Sequence, residues 1–276
     1  MGLFKIKMDK PKKSLGQNFL TSVGAVNKIV EVADYKRSLT ILEVGPGRGV
    51  LTEALLKKFD KVLAIEKDKD LIGFLSAKFS AEIAANKLEL FEGDILNLNP
   101  SNLGSKTPSK SYAIVANIPY YITGQFLRQW LSTDNHPEYM VLMLQKEVAQ
   151  RIDAKDGKES LLSTSVKVYG EPKYIETVKK GSFYPIPKVN SAILKISNIS
   201  KQFFRPDMYI NIEENHFFSI LKAGFAHKRK FLIKNLLTKF PSKEKLETIF
   251  KSCNLEPKCR AEDVQPEQWQ CLAQNL

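Results

Sequence analysis

The sequence predicts an α/β fold, in which a mostly parallel, seven-stranded sheet is wrapped by helices and followed by a small all-helical domain. Short apolar runs alternate with amphipathic helical segments from about residue 39 to residue 196. A glycine-rich turn joins the first of these strands to the helix after it. From about residue 200 the pattern contains helices only, so we predict two domains, 1–199 and 200–276.

The predicted strands are runs of four to eight residues, of which the fourth and fifth are apolar enough to be buried. They span residues 39–44, 61–65, 88–91, 112–116, 139–144, 172–178 and 189–196. The intervening helices are predicted at 22–34, from 50 onward, and at 69–79, 123–132, 145–152 and 161–169. Polar or charged composition predicts a mobile arm at 1–13, a loop at 97–110 and a mobile linker at 153–160.

Composition narrows the class of partner. The chain of 276 residues carries a net charge of +12, which suits a polyanion such as nucleic acid or is simply a basic surface. An apolar run long enough for a transmembrane helix is absent from the sequence, and so is a secretory signal. Three cysteines at irregular spacing predict free thiols in a reducing cytoplasm.

The glycine turn and the acid after the second strand together predict an adenosine site. Gly45, Gly47 and Gly49 let the backbone approach a ligand closely. Glu66 ends the second strand about twenty residues later, where a carboxylate accepts both ribose hydroxyls. Asp94 follows the third strand and is a candidate acceptor for the adenine amine, with Ile95 covering the ring. A turn or helix-cap role is the alternative for Asp94.

The fourth strand leads into Asn117-Ile118-Pro119-Tyr120, which predicts a site for a flat, polar base. The Asn117 side-chain oxygen and a backbone carbonyl of the Pro119 turn are candidate acceptors for an exocyclic amine. Accepting both N–H groups draws that amine toward tetrahedral geometry and frees its lone pair. Tyr120 offers a ring for stacking. A strand end with packed aromatics is the alternative interpretation.

Three further segments supply candidates. Gln17 and Asn18, in a polar stretch before the first helix, are candidate ligand contacts, although a plain loop is the simpler interpretation. In the proline-stiffened loop at 183–191, Phe183 is predicted to close the base pocket opposite Tyr120, and Lys188 to meet phosphate, unless the aromatics pack in a hairpin. A basic cluster is predicted to begin a helix and contact phosphate, or else to be only solvated: Lys228, Arg229, Lys230 and Lys234.

Taken together, these motifs resemble the KsgA/RsmA family of small-subunit ribosomal RNA adenine N6,N6-dimethyltransferases. The resemblance runs from about Lys12 to the C-terminus. It rests on G-Q-N-F-L (16–20), E-V-G-P-G-R-G (43–49), N-I-P-Y (117–120), L-Q-K-E-V (144–148), F-Y-P-I-P-K-V-N-S (183–191) and F-A-H-K-R-K…N-L (225–236). The sequence departs from the family in two places: Glu159-Ser160-Leu161 replaces a common Tyr-Gly-Arg, and Tyr121 replaces an Asn found in many relatives.

The resemblance implies a Rossmann-like methyltransferase fold with S-adenosylmethionine as the methyl donor. Asn18 and Leu20 would line the methionine end above Gly45 and Gly47. Glu66 would hold the ribose and Asp94 the adenine, and Asn117 would lie between donor and acceptor. The implied partner is the assembling small subunit, whose last rRNA helix carries two adjacent target adenines, and we expect a cytoplasmic monomer that binds no membrane.

Three alternatives remain at this level. An Erm-type enzyme would methylate one large-subunit adenine. A non-catalytic assembly or transcription factor would bind RNA without turnover, although the intact Glu66, Asp94 and N-I-P-Y set argues against it. A DNA adenine methyltransferase would act on duplex DNA. No metal and no general base are needed for the transfer, because the sulfonium is already a strong electrophile.

Overall fold

The computed structural model describes residues 10–33, 38–100, 111–205 and 211–276. The predicted basic arm lies mostly outside these ranges, at residues 1–9, and so does most of the predicted polar loop, at 101–110.

The central feature is a seven-stranded sheet with the order β4-β3-β2-β5-β6-β9-β7. A separate two-stranded sheet pairs β1 with β8 in antiparallel fashion. The strands are β1 (Phe19–Leu20), β2 (Thr40–Val44), β3 (Lys61–Glu66), β4 (Leu88–Glu92), β5 (Tyr112–Asn117), β6 (Met140–Gln145), β7 (Glu171–Val178), β8 (Phe183–Tyr184) and β9 (Ser191–Ser197). The predicted mostly parallel, seven-stranded α/β sheet is confirmed.

Strand register brings three carboxyl ends together. β2 is parallel to β3 on one side and to β5 on the other, with Val44 opposite both Ile65 and Ala116. β6 continues the parallel set, and β9 then pairs with β6 in antiparallel fashion. The chain connections therefore proceed from β2 to β3 on one side of the sheet and later to β5 on the other side. The crevice between the carboxyl ends of β2 and β5 is a topological switch point. Ligands of open α/β sheets bind at such a point, outside the carboxyl ends of the strands.

Helices cover this sheet because their apolar residues recur on one face. α1 buries Val26, Ile29 and Ala33, and every residue of β2 and β3 is buried, as expected for strands enclosed on both faces. The helices of this part are α1 (Val23–Ala33), α2 (Val50–Lys58), α3 (Lys69–Lys78), α4 (Ser80–Ala84), α5 (Thr123–Leu131) and α6 (Lys146–Asp153).

The chain forms two compact units, one comprising Met1–Ala149 with Lys173–Ile199 and the other Gln150–Pro172 with Ser200–Leu276. The predicted division after residue 199 differs in one segment, 150–172, which packs with the second unit. Tyr169 stacks on Phe218 at 6.1 Å between ring centroids, and its carbonyl oxygen accepts the Ser200 N–H at 2.8 Å. These contacts join residues far apart in the sequence, so composition does not reveal them.

The second unit is helical, with an aromatic core that includes Phe204, Phe217 and Trp269. Its helices are α7 (Leu161–Lys167), α8 (Glu214–Gly224), α9 (Leu232–Leu236), α10 (Lys243–Ser252) and α11 (Pro266–Asn275). Among the helices that the structure describes, none combines the length and apolar composition needed to cross a membrane.

Two predictions for this unit are wrong. Cys253, after α10, forms a disulfide with Cys271 of α11, and only Cys259 is a free thiol. Packing of the two helices joins these cysteines, which their sequence separation of 18 residues does not indicate. The predicted mobile linker is also ordered at its end, because Glu159 is buried against Lys167 and Ser160 caps α7. Two of the three residues that replace the common Tyr-Gly-Arg therefore have structural contacts of their own.

Candidate cofactor and substrate site

A cavity of about 1090 Å³, its open mouth included, lies at the carboxyl ends of β2, β3 and β5. The N-terminal segment from Leu15 to Leu20 forms one side of it. Apart from Gly49 and Phe183, the residues that the sequence suggested for cofactor and base binding line this cavity: Gln17, Asn18, Leu20, Gly45, Gly47, Glu66, Asp94, Ile95, Asn117, Pro119 and Tyr120. The parallel register explains this convergence, because residues that follow neighbouring parallel strands meet at one edge.

The turn between β2 and α2 is built for close approach. Gly47 and Gly49 have φ angles of 58° and 72°, a region that side chains disfavour. A Cβ on Gly49 would lie 2.5 Å from the Phe79 ring, so packing also requires glycine there. Gly45, by contrast, has open space around the position of a Cβ. The turn thus presents bare backbone to the cavity while its far side packs tightly.

The Glu66 carboxylate is held in place by backbone donors. It is only 6% exposed, and its Oε2 accepts the Gly47 N–H at 3.1 Å while Oε1 accepts the Asp68 N–H at 2.9 Å. Burial raises the pKa of Glu66, and the two N–H groups oppose that rise. Each oxygen keeps a further lone pair for a ligand hydroxyl. The geometry is suited to a pair of ribose hydroxyls.

Asp94 already has two partners in the described chain. Its Oδ1 accepts the Leu96 N–H at 3.0 Å, as a cap of the short helical turn, and its Oδ2 pairs with Lys67 Nζ at 2.8 Å. Burial disfavours the charged form, but these partners outweigh it and lower the pKa of Asp94. The alternative role as a cap is therefore confirmed. Its contact with an adenine amine stays a prediction, in which one oxygen serves both Lys67 and the ligand.

Asn117 ends β5 with a defined side-chain orientation. Its Nδ2 donates to the backbone oxygen of Asn18 at 3.1 Å, a bond that only the amide nitrogen can make. Oδ1 is therefore the side of the carboxamide available to a ligand. Because Asn117 lines the cavity, this places an acceptor where the sequence predicted one for an exocyclic amine.

The turn after Asn117 presents an anchored ring. Tyr120 lines the cavity, and its hydroxyl shares a hydrogen bond of 2.7 Å with Ser191 Oγ of β9. Burial raises the pKa of Tyr120, so the phenol stays neutral. Pro119 precedes it with φ −54°, and the Ile122 N–H donates to the Pro119 oxygen at 3.1 Å. The ring is thereby fixed as a stacking surface rather than left free to rotate.

Phe183 is buried rather than presented to the cavity, so its predicted place opposite Tyr120 stays a prediction. Phe183 does not line the cavity; it is 3% exposed and packs in the hydrophobic core. The reason is the small sheet, in which Phe183 of β8 lies opposite Leu20 of β1 and its neighbour Tyr184 points outward with 54% exposure. Alternation along a strand can expose only one of two successive rings. The alternative interpretation, a packed aromatic, holds for Phe183.

Gln17 lines the cavity and also fastens its own segment. Its Oε1 accepts the Lys12 N–H at 2.7 Å, and its Nε2 donates to Asp68 Oδ2 at 2.7 Å. Asp68 Oδ1 also pairs with Lys12 Nζ at 2.6 Å. Burial disfavours the charge on Asp68, but these partners outweigh it and lower its pKa. Gln17 and Lys12 thus fasten one wall of the cavity to the turn that carries Glu66.

Sequence reasoning missed Glu43, a carboxyl group inside β2 that lines the cavity. It is 1% exposed, and its Oε2 has no hydrogen-bond partner in the described chain. Burial raises the pKa of Glu43 to about 8, and the nearby Glu66 adds to the shift. A buried carboxyl oxygen that has no hydrogen-bond partner in the protein is suited to pair with a cationic ligand. The available signal was a single acid within an otherwise apolar strand.

Glu43→Gln should stabilise the ligand-free protein progressively as pH rises. With the pKa of Glu43 raised from 4.5 to about 8, the folded protein holds a proton that the unfolded chain loses. The free energy of unfolding of the wild type therefore falls by about 1.4 kcal/mol per pH unit between these two pKa values, and it is constant above the higher one. Calorimetric melting of both proteins from pH 5 to pH 9 measures this. Parallel melting curves would show that Glu43 does not titrate in this range.

In the second unit, the basic cluster lies in the turn between α8 and α9 instead of beginning a helix. Lys228, Arg229 and Lys230 are exposed there, and Lys234 is exposed on α9. The buried Asn235 fixes this turn, because its Nδ2 donates to the Gly224 oxygen at 2.6 Å and to the His227 oxygen at 3.1 Å. Lys188, in the first unit, is also exposed. All five cations are open to solvent, as phosphate contacts require.

Comparison with known proteins connects this geometry to a family. A family model described as ribosomal RNA adenine dimethylase matches residues 8–276. A ribosomal RNA small subunit methyltransferase A from Dehalococcoides mccartyi is 40% identical over 95% of this chain and 87% of the relative. A crystal structure of a dimethyladenosine transferase from Plasmodium falciparum superposes with TM-score 0.75 at 26% identity, covering 92% and 95% of the two chains. The 23S rRNA methyltransferase ErmE superposes with TM-score 0.72 at 26% identity, covering 94% and 99%.

Proposed function

Because the chain belongs to the ribosomal RNA adenine dimethylase family, we propose that it dimethylates two adjacent adenines of small-subunit rRNA at N6. These adenines lie in a hairpin loop near the 3′ end, and the modification accompanies ribosome biogenesis. The observation that carries the proposal is the Asn117 carboxamide, turned by its bond to Asn18 so that Oδ1 is left for a ligand in a cavity shared with Glu66 and Tyr120.

The cofactor is S-adenosylmethionine, which supplies an electrophilic methyl group. The cavity fits its chemistry at both ends. The buried, unpartnered Glu43 oxygen complements the cationic amino-acid end, near Asn18 and Leu20. Glu66 offers free lone pairs for ribose hydroxyls, and Asp94 with Ile95 lies next to it on the cavity wall for the adenine.

The chain's own contribution to methyl transfer is alignment and polarisation. Asn117 Oδ1 accepts one N–H of the target amine, and a backbone carbonyl of the Ile118-Pro119 turn accepts the other. Tyr120 holds the plane of the base by stacking. The loss of one amine proton can follow the transfer, so this scheme assigns no residue as a general base. Preorganised polar contacts and orientation then supply most of the acceleration.

RNA binding should depend steeply on salt and on the basic cluster. Replacing Lys230 and Lys234 together by Gln should weaken binding and reduce the slope of log K against log salt by about 1.5, because two phosphate contacts disappear. The matched control is Lys243→Gln, since Lys243 is also exposed in the second unit but pairs with Glu247 at 3.4 Å. Filter binding of small subunits over a range of salt concentrations measures both slopes. Equal slopes for the two variants would remove the cluster from the RNA interface.

An Erm-type activity on large-subunit rRNA is the second candidate, since ErmE superposes nearly as well as the Plasmodium falciparum enzyme. Sequence favours the first candidate, because relatives at 36–42% identity carry the small-subunit name. Incubation with tritiated methyl donor and undermethylated small subunits, large subunits or DNA separates the candidates. We expect label in the small subunits at two adjacent adenines. Label confined to large subunits or DNA would overturn the proposal.

The proposal also places the enzyme in the cytoplasm, where bacterial-type ribosomes assemble, and assigns it a monomeric state. A monomer is sufficient because one chain contributes every residue assigned to the cavity. Light scattering at the concentration used for assay should give the mass of one chain, 31.3 kDa. A mass of twice that value would contradict the assignment.

A further inference from the structure

An exposed aromatic surface lies next to the cavity and is not used by the proposed chemistry. Tyr184 of β8 is 54% exposed, and Ile186 two residues later is 66% exposed. Isolated exposed apolar side chains need no explanation, but a tyrosine and an isoleucine presented within three residues of one loop do. The loop also belongs to a segment with exposed cations: Lys179, Lys180 and Lys188.

Tyr184 is connected to the cavity through Phe19 and Arg48. Tyr184 lies opposite Phe19 in the β1–β8 pairing, and Phe19 lines the cavity. The Arg48 guanidinium, which also lines the cavity, lies 4.6 Å from the Phe19 ring centroid and 5.7 Å from that of Tyr184. The three side chains therefore form a continuous rim from the cavity to the surface.

The backbone holds this rim in place. The Ser182 oxygen accepts hydrogen bonds from the Thr21 N–H at 2.8 Å and from the Thr21 hydroxyl at 3.0 Å. Asn190 Oδ1 accepts the Lys180 N–H at 3.0 Å on the other side of the loop. Tyr184 is thus an exposed ring on an anchored backbone, which reduces the entropy lost when a partner stacks on it.

A tyrosine ring next to a guanidinium plane, with lysines around it, is the chemistry that binds unpaired nucleotides. Bases stack on aromatic and guanidinium faces, and the lysines meet the backbone phosphates. A target adenine in the cavity leaves its covalently linked neighbour within about one nucleotide of the mouth. We propose that Tyr184 and Arg48 form a platform on which the nucleotide adjacent to the target adenine stacks, so that they favour substrates in which this neighbour is unpaired.

The inference rests on the proposed function and assigns Tyr184 a role in specificity rather than in methyl transfer. Tyr184→Ala should lower kcat/KM for small subunits about 10- to 100-fold, the range that loss of one base–aromatic stack produces. Tyr184→Phe should keep near-native activity because the ring remains. Ile186→Ala is the matched control in the same loop, and we expect it to change kcat/KM less than about 3-fold. Cofactor affinity should be equal in all four proteins.

A double-mutant cycle, which combines Tyr184→Ala with a change in the RNA, tests the platform directly. Small subunits reconstituted with a synthetic 3′ segment carry an abasic nucleotide next to a single target adenine. The abasic nucleotide should lower the activity of the wild type about as much as Tyr184→Ala lowers activity on normal small subunits. In the Tyr184→Ala variant, the abasic nucleotide should lower activity only slightly further. Equal losses for both proteins on the abasic substrate would overturn the platform. Absence of wild-type methylation on normal small subunits would instead overturn the proposed function.

Discussion

Asn117→Ala should lower methyl transfer about 10²- to 10³-fold while leaving cofactor affinity largely intact, the loss typical for deletion of one preorganised polar contact. The carboxamide oxygen is the acceptor that Asn117 offers, and its orientation depends on the Nδ2 bond to the Asn18 oxygen at 3.1 Å. Without it, the target amine keeps its lone pair in the ring and loses one of its two alignment contacts. Single-turnover assays with small subunits measure the chemical step.

Tyr120→Phe is the comparison variant in the same turn. It removes the hydroxyl that bonds Ser191 at 2.7 Å but keeps the ring, so we expect less than about a 5-fold change. Calorimetric titration with the methyl donor checks that both variants bind it. Near-native turnover by Asn117→Ala, with the donor bound normally, would remove the proposed role of the carboxamide.

Glu66→Ala should weaken binding of S-adenosylmethionine by about 10- to 100-fold, because hydrogen bonds from two hydroxyls to a carboxylate are lost. The substitution also leaves the Gly47 and Asp68 N–H groups without their acceptor, which loosens the glycine turn. Glu66→Gln separates these effects, since its carbonyl oxygen still accepts one N–H. We expect an intermediate affinity for Glu66→Gln.

Glu92→Ala is the matched control for this series. Glu92 lies opposite Glu66 in the β3–β4 register but does not line the cavity, and it pairs with Lys69 at the surface. Isothermal titration of the ligand-free proteins should give a native dissociation constant for Glu92→Ala. An unchanged dissociation constant for Glu66→Ala would contradict the ribose assignment.

Most of the architecture followed from periodicity. Strands that alternate with helices along most of the first unit define a mostly parallel sheet, and residues after neighbouring parallel strands must meet at one edge. The sequence therefore predicts Glu66 and Asn117 in one site, and both line the cavity. The alternation of strands and helices is local information, because each element can be identified from residues that are neighbours in the sequence.

Local information was not sufficient where contacts join distant segments. The N-terminal wall is fastened by Lys12 and Gln17 to Asp68, more than fifty residues away. Phe183 and Tyr184 look equivalent in the sequence, and only pairing with β1 decides which ring is buried. Cys253 and Cys271 were predicted as free thiols, because helix packing rather than spacing brings their Cα atoms within 5.6 Å.

The sequence by itself determined the fold class, the family and the edge of the sheet at which the site lies. Only the tertiary structure decided which atoms are available there: the Asn117 oxygen rather than its nitrogen, a buried Glu43 with a raised pKa, and the outward ring of Tyr184. The physical reason is that the type of each element and the succession of elements depend on patterns along the chain. Side-chain orientation, burial and ionisation depend instead on neighbours that folding brings together.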